Sequence, residues 1–463
     1  MMNKIFQTLG LSALVLTSFF ALALNVDAQS KKDQKKAKQF NEQGDKAFGK
    51  KDYRTAIGLF TQAVTLVPNN GHSHFWKGYA HSLLKENDLA LTELDLALSQ
   101  KYNPIEVYRV RWSLNYEKKN YDAALEDIKQ ILKVEPNGTD YLVALGEIYL
   151  AKGAFREALG AYQKAILKFP NSGDLFYQLA RVQFSLGDTP SQAAAAEDAL
   201  KKRTQYLGDA YFLLGDARQK QKKFPEAIDA YQRAILSKPD IYAAYRNLAE
   251  LYRASSRFKD AIEISKQALK LSPNDGSIYT DLSWYYSLDD QKKEAAEAAQ
   301  AGIRFLPDQY LAYTNLCRAY NDLNKPEMAI AACNNSLRLN PNDGETHFYL
   351  GRSNALLGKH AEAAKYYKLA VIGLITFTAN YPDYSDGFYL LGNAYWEDNR
   401  LDKAVEAYRK CLELNPRFVK ARFNLGYVSV IQRNRNGALE QYNSLLNLDK
   451  NLAAKLKAEI DKL

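Results

Sequence analysis

The stretch Thr139–Ser172, TDYLVALGEIYLAKGAFREALGAYQKAILKFPNS, decides the fold of this chain. Its first half repeats large or small apolar residues at i, i+3, i+4 and i+7, the spacing of one helix face: Leu142, Leu145, Gly146 and Tyr149. A second stripe follows the turn at Lys152–Gly153 and ends before Pro170, which cannot continue a helix: Ala158, Tyr162 and Ala165. Large and small side chains alternate, so the two helices are predicted to close against each other.

The same 34-residue pattern extends over most of the chain. Twelve such units can be phased over Ala37–Leu452, provided that the fifth unit, Gly173–Leu207, has one extra residue. The tenth unit, which begins at Gly344, must have seven extra residues. The remaining segment, Ala453–Leu463, is predicted to be a polar-faced helix that caps the end of the array.

This pattern resembles the tetratricopeptide repeat (TPR), whose signature is W-x2-L-G-x2-Y followed by A-x3-F, A and P in 34 residues. The resemblance implies an all-α fold, a right-handed superhelical solenoid of helix-turn-helix repeats. It also implies that the first helix of each repeat lines a concave face that binds a protein or peptide.

The N-terminus is predicted to be a secretory signal peptide, Met1–Ala28. Lys4 supplies a positive charge, Ile5–Leu24 is mostly apolar, and Ala28 precedes an expected cleavage point. The alternative is an uncleaved membrane anchor. Gln29–Lys36 follows as a polar, Lys-rich spacer that we expect to be disordered. We therefore expect a periplasmic or exported protein of the bacterial cell envelope, with no transmembrane anchor after cleavage.

The charge distribution argues against nucleic acid as the partner. The chain has a formal net charge of +9, but the excess lies at its two ends. Gln29–Lys38 carries five Lys and one Asp, and Arg400–Leu463 carries thirteen Lys or Arg against seven Asp or Glu. A nucleic-acid binder is expected to show a basic stripe along its binding face. The long middle of this chain is almost neutral.

Catalytic, cofactor and metal motifs are not found in the sequence. Phosphate-binding, dinucleotide-binding, zinc-protease and nucleophile-elbow patterns do not occur. His72, His74 and His81 cluster in the second repeat, but their spacing places them on different faces or two turns apart. We therefore expect ordinary structural histidines, no metal, no cofactor and no catalytic residue.

The three cysteines are Cys317, Cys333 and Cys411. Cys317 and Cys333 occupy positions 8 and 24 of the ninth repeat, at similar height on paired helices. A disulfide between them is possible in a secreted protein. The alternative is that each cysteine serves as a small apolar residue, and Cys411 is left over in either case.

The partner-binding site is predicted in repeats ten to twelve, where positions 5, 9 and 12 of the first helices would line the concave face. The extra residues of repeat ten fall within Val371–Tyr384 and carry unusual apolar surface. Beside them the concave stripe is rich in aromatic residues and Arg, which often dominate interface energies: Phe348, Arg352, Tyr389, Asn393, Trp396, Phe423 and Tyr427. The alternative is that these aromatics only fill the superhelix interior.

The sequence therefore predicts a non-catalytic protein–protein interaction scaffold. The pattern by which some TPR domains grip a C-terminal carboxylate is not reproduced, because Tyr389 stands where a Lys belongs. Two other functions stay open: an enzyme or carbohydrate-handling protein with a site built in the groove, and a peripheral membrane or nucleic-acid binder that uses the basic ends.

Overall fold

The computed structural model describes residues 30–463, and this part of the chain contains 25 α-helices and no strand. The predicted signal peptide, Met1–Ala28, lies outside the described residues. Helix α1 covers residues 30–49. The other helices are α2 Tyr53–Leu66, α3 Gly71–Leu83, α4 Asn87–Ser99, α5 Pro104–Glu117, α6 Tyr121–Val134, α7 Thr139–Ala151, α8 Phe155–Lys168, α9 Gly173–Leu186, α10 Thr189–Lys201, α11 Leu207–Lys220, α12 Phe224–Ser237, α13 Tyr242–Ala254, α14 Phe258–Leu271, α15 Gly276–Leu288, α16 Lys292–Phe305, α17 Tyr310–Asp322, α18 Pro326–Leu339, α19 Gly344–Leu356, α20 His360–Asn380, α21 Ser385–Glu397, α22 Leu401–Leu414, α23 Val419–Ile431, α24 Arg435–Leu445 and α25 Lys450–Ile460.

Consecutive helices pair into hairpins, and the predicted all-α solenoid is confirmed. Within several hairpins a glycine of the first helix lies under a tyrosine sixteen residues later. A methyl group built on Gly146 would come within 2.6 Å of the Tyr162 ring, and one on Gly392 within 2.5 Å of the Tyr408 ring. The close approach of the two backbones therefore depends on the absence of a side chain at these glycines. Tyr162 and Tyr408 are fully buried at these seams.

The turns between hairpins are fixed by local hydrogen bonds. At the starts of α3, α15 and α19, the Asn or Asp two residues after the closing Pro caps the new helix, a common role for these residues. Asp343 accepts a hydrogen bond from the Thr346 backbone N–H at 2.9 Å, and Asp275 accepts one from the Ser277 N–H at 2.8 Å. The Pro and Asx residues thus set where these three hairpins begin.

The Lys-rich stretch near the N-terminus does not form the disordered spacer that we expected. Residues 30–36 are the first turns of α1. The expectation was wrong because Lys and Gln are good helix formers, and neither Gly nor Pro interrupts this segment. A highly polar segment can still be helical when the same helix continues into residues that have an apolar face.

The chain forms two compact units, one ending at Gln205 and the other covering Tyr206–Leu463. In the described part of the first unit, the apolar residues form separate small clusters between neighbouring hairpins, for example around Leu94 and around Ile128. In the second unit a continuous core extends from Ala227 to Ala407. No helix within residues 30–463 is long and apolar enough to cross a membrane.

Candidate functional site

The second unit contains one helix that departs from the repeat length. Helix α20 has 21 residues, whereas α18 and α22, which hold the same place in neighbouring hairpins, have 14 each. The seven extra residues correspond to about two helical turns. The predicted insertion within Val371–Tyr384 therefore lengthens the second helix of repeat ten and precedes the start of α21.

The end of this insertion contacts a hairpin far away in the sequence. Asp386, at the start of α21, forms an ion pair with Arg253 of α13, and their side chains are only 2% and 5% exposed. The ring of Tyr384 lies 4.9 Å from the Arg253 guanidinium carbon. Asn415 donates a hydrogen bond to the Ala254 carbonyl oxygen at 3.1 Å. Repeats seven, ten and eleven are thereby joined across the groove of the second unit.

A partly open cavity of about 830 Å³ lies beside these contacts. One wall comes from first helices α15, α17 and α19, and the facing wall comes from the second half of α20 and the start of α21. The polar lining residues include Asp281, Trp284, Asn315, Arg318, Asp343, Glu345, His347 and Asp386. The apolar and aromatic lining residues include Leu311, Leu369, Ile372, Leu374, Phe377, Tyr381, Tyr384 and Leu390. A volume of this size is typical of ligand pockets, which span about 300–1,000 Å³.

Each of the four carboxylates that line the cavity already has a partner within the protein. Asp386 pairs with Arg253 and Glu345 pairs with Arg318. Asp281 lies 3.6 Å from an Arg246 nitrogen. Asp343 caps α19 as described above. Three of the carboxylates are thus paired with an Arg, whereas the partners of Asp343 are the backbone N–H and hydroxyl of Thr346.

Arg318 is the most strongly constrained group in the wall. It is 4% exposed, and its guanidinium carbon lies 3.6 Å from the centroid of the Trp284 ring. Its Nε donates to the Tyr349 hydroxyl at 2.7 Å, and Nη2 faces Glu345. A guanidinium sandwiched in this way is held in one orientation, because its planar donors cannot rotate independently.

Four buried polar atoms of the lining residues have no hydrogen-bond partner among the described residues: Trp284 Nε1, Arg318 Nη1, His347 Nδ1 and Glu345 Oε1, the last of which forms the ion pair with Arg318. The other ring nitrogen of His347 lies 3.0 Å from the Pro341 carbonyl oxygen, so it carries the proton and donates. Nδ1 is then left as an acceptor. Buried polar groups normally have a partner, and the atoms without one are here shielded from solvent by the protein around them.

Burial shifts the pKa of two titratable groups in the wall in the direction of their neutral forms. Burial raises the pKa of Asp281 to about 6, against the opposing effect of Arg246, and Glu250 adds to the increase. Burial also lowers the pKa of His347 below its ordinary value of 6.5, although the hydrogen bond to Pro341 and the charge of Asp343 act the other way. His347 is therefore a neutral imidazole at pH 7.

None of the seven residues predicted from sequence lines this cavity; they lie on α19, α21 and α23. Phe348 is 7% exposed and packs against Tyr349 and Tyr367. Trp396 stacks on Tyr427 with ring centroids 5.5 Å apart. Phe348 thus offers little surface to a partner. The binding role of the remaining stripe stays a prediction.

The other predicted side chains also have partners. Arg352 pairs with Asp322 at 2.8 Å, and Phe423 lies against Tyr427. Tyr389 packs on Phe418 with ring centroids 5.0 Å apart. Asn393 accepts a hydrogen bond from the Tyr408 hydroxyl at 2.7 Å. These contacts fix the shape of the stripe between α21 and α23.

Sequence reasoning missed the residues that build the cavity, although the same positional rule could have found some of them. Trp284 and Arg318 occupy position 9 of repeats eight and nine, and Arg253 occupies position 12 of repeat seven. The segment Val371–Tyr384 was identified, and Ile372, Leu374, Phe377, Tyr381 and Tyr384 from it line the cavity. No local sequence pattern predicts that Arg253 pairs with Asp386.

The histidines of the second repeat each have a separate carboxylate partner. His74 lies 2.6 Å from Glu93, His81 lies 2.6 Å from Glu86, and His72 lies 3.1 Å from Asp45. No group of three or more His, Cys, Asp or Glu residues within residues 30–463 could hold a metal ion.

Cys317 and Cys333 form a disulfide between α17 and α18, with their Cα atoms 5.3 Å apart. They occupy the positions at which Gly146 and Tyr162 meet in repeat four, so the covalent bond replaces the glycine–tyrosine contact of other hairpins. Cys411 is free and buried, and burial raises the pKa of its thiol. The disulfide lies directly behind the wall that carries Arg318.

A protein-family model described as Tetratricopeptide repeat matches residues 41–103, 114–172, 149–207, 212–276 and 314–385. A second model with the same description matches residues 385–418. Together these matches cover more than half of the chain, so the chain belongs to the tetratricopeptide repeat family.

Individual proteins match shorter parts. Small glutamine-rich tetratricopeptide repeat-containing protein 2 of Saccharomyces cerevisiae is 30% identical over 24% of this chain and 32% of its own length. The probable UDP-N-acetylglucosamine–peptide N-acetylglucosaminyltransferase SPINDLY of Hordeum vulgare is 31% identical over 25% of this chain and 13% of its own length. The chain thus spans about a third or less of these relatives. The crystal structure of yeast Tom70 aligns over 92% of this chain and 94% of that chain, with 15% identity and a TM-score of 0.40.

Proposed function

Because the chain belongs to the tetratricopeptide repeat family, we propose that it is a non-catalytic scaffold that holds a peptide or protein partner in the groove of its second unit. Binding of protein partners is the general use of such helical-repeat surfaces, which present extended concave faces. We further propose that it acts in the bacterial cell envelope.

The observation that carries this proposal is the cavity between α15, α17, α19 and α20. It is lined by apolar side chains together with a smaller set of polar ones, the combination expected of a binding pocket. The insertion that closes it adds two helical turns that a hairpin does not need for its own packing. Ile372, on these added turns, is 63% exposed and lines the cavity.

The envelope location rests on the N-terminal sequence. Lys4, the apolar run and the Ala28-Gln29 junction support export and cleavage before Gln29. N-terminal sequencing of the protein from fractionated cells tests this part. A mature chain that begins at Gln29 in the periplasmic or envelope fraction is expected, and a chain that retains Met1 in the membrane pellet would contradict it.

Partner capture tests the scaffold function itself. The full chain with a C-terminal tag is expressed in its own host, and proteins retained from the envelope fraction are identified by mass spectrometry. We expect a defined partner that survives high salt, because an apolar pocket is less sensitive to screening than surface charges are.

The aromatic stripe between α21 and α23 is proposed as the rim of the same site. Tyr389→Ala together with Trp396→Ala is expected to reduce capture strongly while leaving helicity nearly unchanged. A variant of equal truncation elsewhere, Phe169→Ala with Leu167→Ala, serves as the control, because both side chains are exposed on α8 or its cap. Capture that is equal for both double variants would exclude the stripe from the site.

A further inference from the structure

We infer that the outer face of α1 is an electrostatic docking surface for an anionic lipid bilayer. This surface belongs to the first unit, so it does not involve the groove proposed above. A lipid contact here would hold the scaffold at a membrane, a role that the repeat family does not imply. We call this surface the lysine face, and it consists of Lys31, Lys32, Lys35, Lys36 and Lys38.

The helical conformation of residues 30–38 places these lysines on one side of α1. At about 100° per residue, the five side chains fall within an arc of about 160°. All five are exposed. The centre of the arc is opposite the buried Ala37 and the buried Gly44, whose backbone lies close to the Phe60 ring of α2. The lysine face therefore points away from the packing between α1 and α2.

Most of this positive charge has no counter-charge in the protein. The side chains of Lys32, Lys35 and Lys38 form no ion pair with another residue of the described range 30–463. Lys36 has an aromatic contact, with its Nζ 5.8 Å from the centroid of the Phe40 ring. The lysine face is thus a compact group of solvated cations.

This arrangement is unfavourable for the helix itself. Residues three and four apart are neighbours on a helix surface, and like charges at that spacing repel. Lys35 has Lys31 and Lys32 in the preceding turn and Lys38 in the next. Proteins keep locally unfavourable arrangements mainly at functional sites. A negatively charged surface outside the protein would relieve the repulsion. Elsewhere in the chain the same helical spacing joins opposite charges: Asp229 with Arg233, and Lys457 with Asp461.

The residue types of the lysine face favour a lipid surface over nucleic acid. The face carries only Lys, a compact point charge, and no Arg, whose planar fork matches phosphate groups and bases. No aromatic side chain lies within the arc, so unpaired bases have nothing to stack on. A bilayer with anionic lipids attracts clustered lysines through its surface potential and requires no defined geometry. The choice of a bilayer rests on the proposed envelope location, where the protein would meet such a surface.

Vesicle co-sedimentation tests this inference. The protein is purified with a C-terminal tag from its own host, so that its N-terminus is the natural one. It is mixed with vesicles of phosphatidylcholine alone, or of phosphatidylcholine with about 30% phosphatidylglycerol. We expect binding to the anionic vesicles to be at least about tenfold stronger than to the neutral ones. Raising the salt from about 0.05 M to about 0.5 M should weaken it by at least about tenfold, because salt screens the attraction.

A matched pair of variants places the binding on the lysine face. The first variant changes Lys32, Lys35, Lys36 and Lys38 to Gln, which is also a good helix former. The control removes the same number of charges from exposed lysines of the same unit, but from two other helices. It changes Lys129 and Lys133 of α6 and Lys164 and Lys168 of α8 to Gln. We expect the first variant to bind the anionic vesicles at least about tenfold more weakly and the control to stay within about threefold. Circular dichroism checks that helicity is unchanged in both.

Three outcomes would overturn the inference. They are equal binding to neutral and anionic vesicles, equal loss in the two quadruple variants, and tighter binding to a short DNA duplex than to the anionic vesicles at the same phosphate concentration. These failures are distinct from failure of the proposed function. If vesicle binding fails while a partner is captured, the lysine face is not a membrane contact and the scaffold function stands. If anionic vesicles bind through the lysine face but the chain is not exported, the lipid contact stands and the envelope location is contradicted.

Discussion

Arg253 and Asp386 lie 133 positions apart and form an ion pair that is almost completely removed from solvent. The insertion in α20 displaces the start of α21 so that Asp386 reaches α13. Asp386 lines the cavity, and the ring of Tyr384 lies over the Arg253 guanidinium. A single departure from the repeat length thus adds a second wall to the groove formed by the neighbouring hairpins.

Removal of Asp386 should therefore destabilise the second unit. Asp386→Ala leaves Arg253 buried without its main counter-charge, and breaking a buried pair from one side costs about 3–5 kcal/mol. Urea unfolding of the second unit, followed by hydrogen exchange in α13 and α21, measures the effect. Because Glu250 still pairs with Arg253, we expect a cost near about 3 kcal/mol, the lower end of this range.

A neighbouring pair provides the matched control. Lys222 and Asp383 also join distant hairpins of the second unit, at 3.2 Å, but their side chains are 70% and 74% exposed. Asp383→Ala should change the free energy of unfolding by less than about 0.5 kcal/mol, as is usual for exposed pairs. Equal effects of Asp383→Ala and Asp386→Ala would show that closure does not depend on the buried pair.

The glycines of the first unit should respond in opposite ways to the same substitution. Gly146→Ala places a methyl group against the Tyr162 ring and should cost about 1–3 kcal/mol through overpacking. Gly160→Ala, in the next helix, has open space around the new methyl group and should stabilise by about 0.5–1 kcal/mol. Thermal and urea melts of the two variants decide this, and a gain in stability for Gly146→Ala would contradict the seam geometry.

The disulfide of repeat nine should be replaceable by the contact that other hairpins use. Cys317→Ala with Cys333→Ala should lose about 2–4 kcal/mol, the usual contribution of a cross-link across a short loop. Cys317→Gly with Cys333→Tyr should recover part of that loss, because repeat ten packs Tyr367 on Gly351 in the same positions. Thiol titration in denaturant without reductant should find one free thiol per chain, that of Cys411. Three free thiols in freshly isolated protein would contradict the cross-link.

The lowered pKa of His347 predicts a pH dependence with a definite sign. The unfolded chain takes up a proton at this site near pH 6.5, whereas the folded chain does so only at lower pH. Stability is therefore unaffected above about pH 7 and falls as pH drops below 6.5 toward the folded pKa. His347→Gln removes this loss. The free energy of unfolding of the variant, relative to that of the wild type, should therefore rise as the pH is lowered from 7.5 to 5. If this relative free energy of unfolding falls instead, the imidazole is charged in the folded protein, where Asp343 and Tyr366 face it.

Local patterns predicted the hairpins well, because helix length, turn and seam depend on residues within one repeat. The positions of Gly146, Tyr162 and Pro170 suffice for one hairpin, and the same spacing recurs along the chain. The pattern also identified the extra turns of α20. It could not predict that Asp386 reaches Arg253, because this contact depends on the accumulated rotation of several hairpins. It also left open whether Phe348 faces a partner or the interior, and Phe348 is buried against Tyr349 and Tyr367.

Site-specific photo-crosslinking tests most directly the central claim that the cavity holds the partner. Benzoylphenylalanine is placed at Ile372, which lines the cavity, and in a second chain at Leu236, which is 84% exposed on α12 away from the lining. After irradiation of the envelope fraction, we predict one specific crosslinked partner from position 372 and none from position 236. Crosslinks of equal yield and identity from both positions would contradict the account.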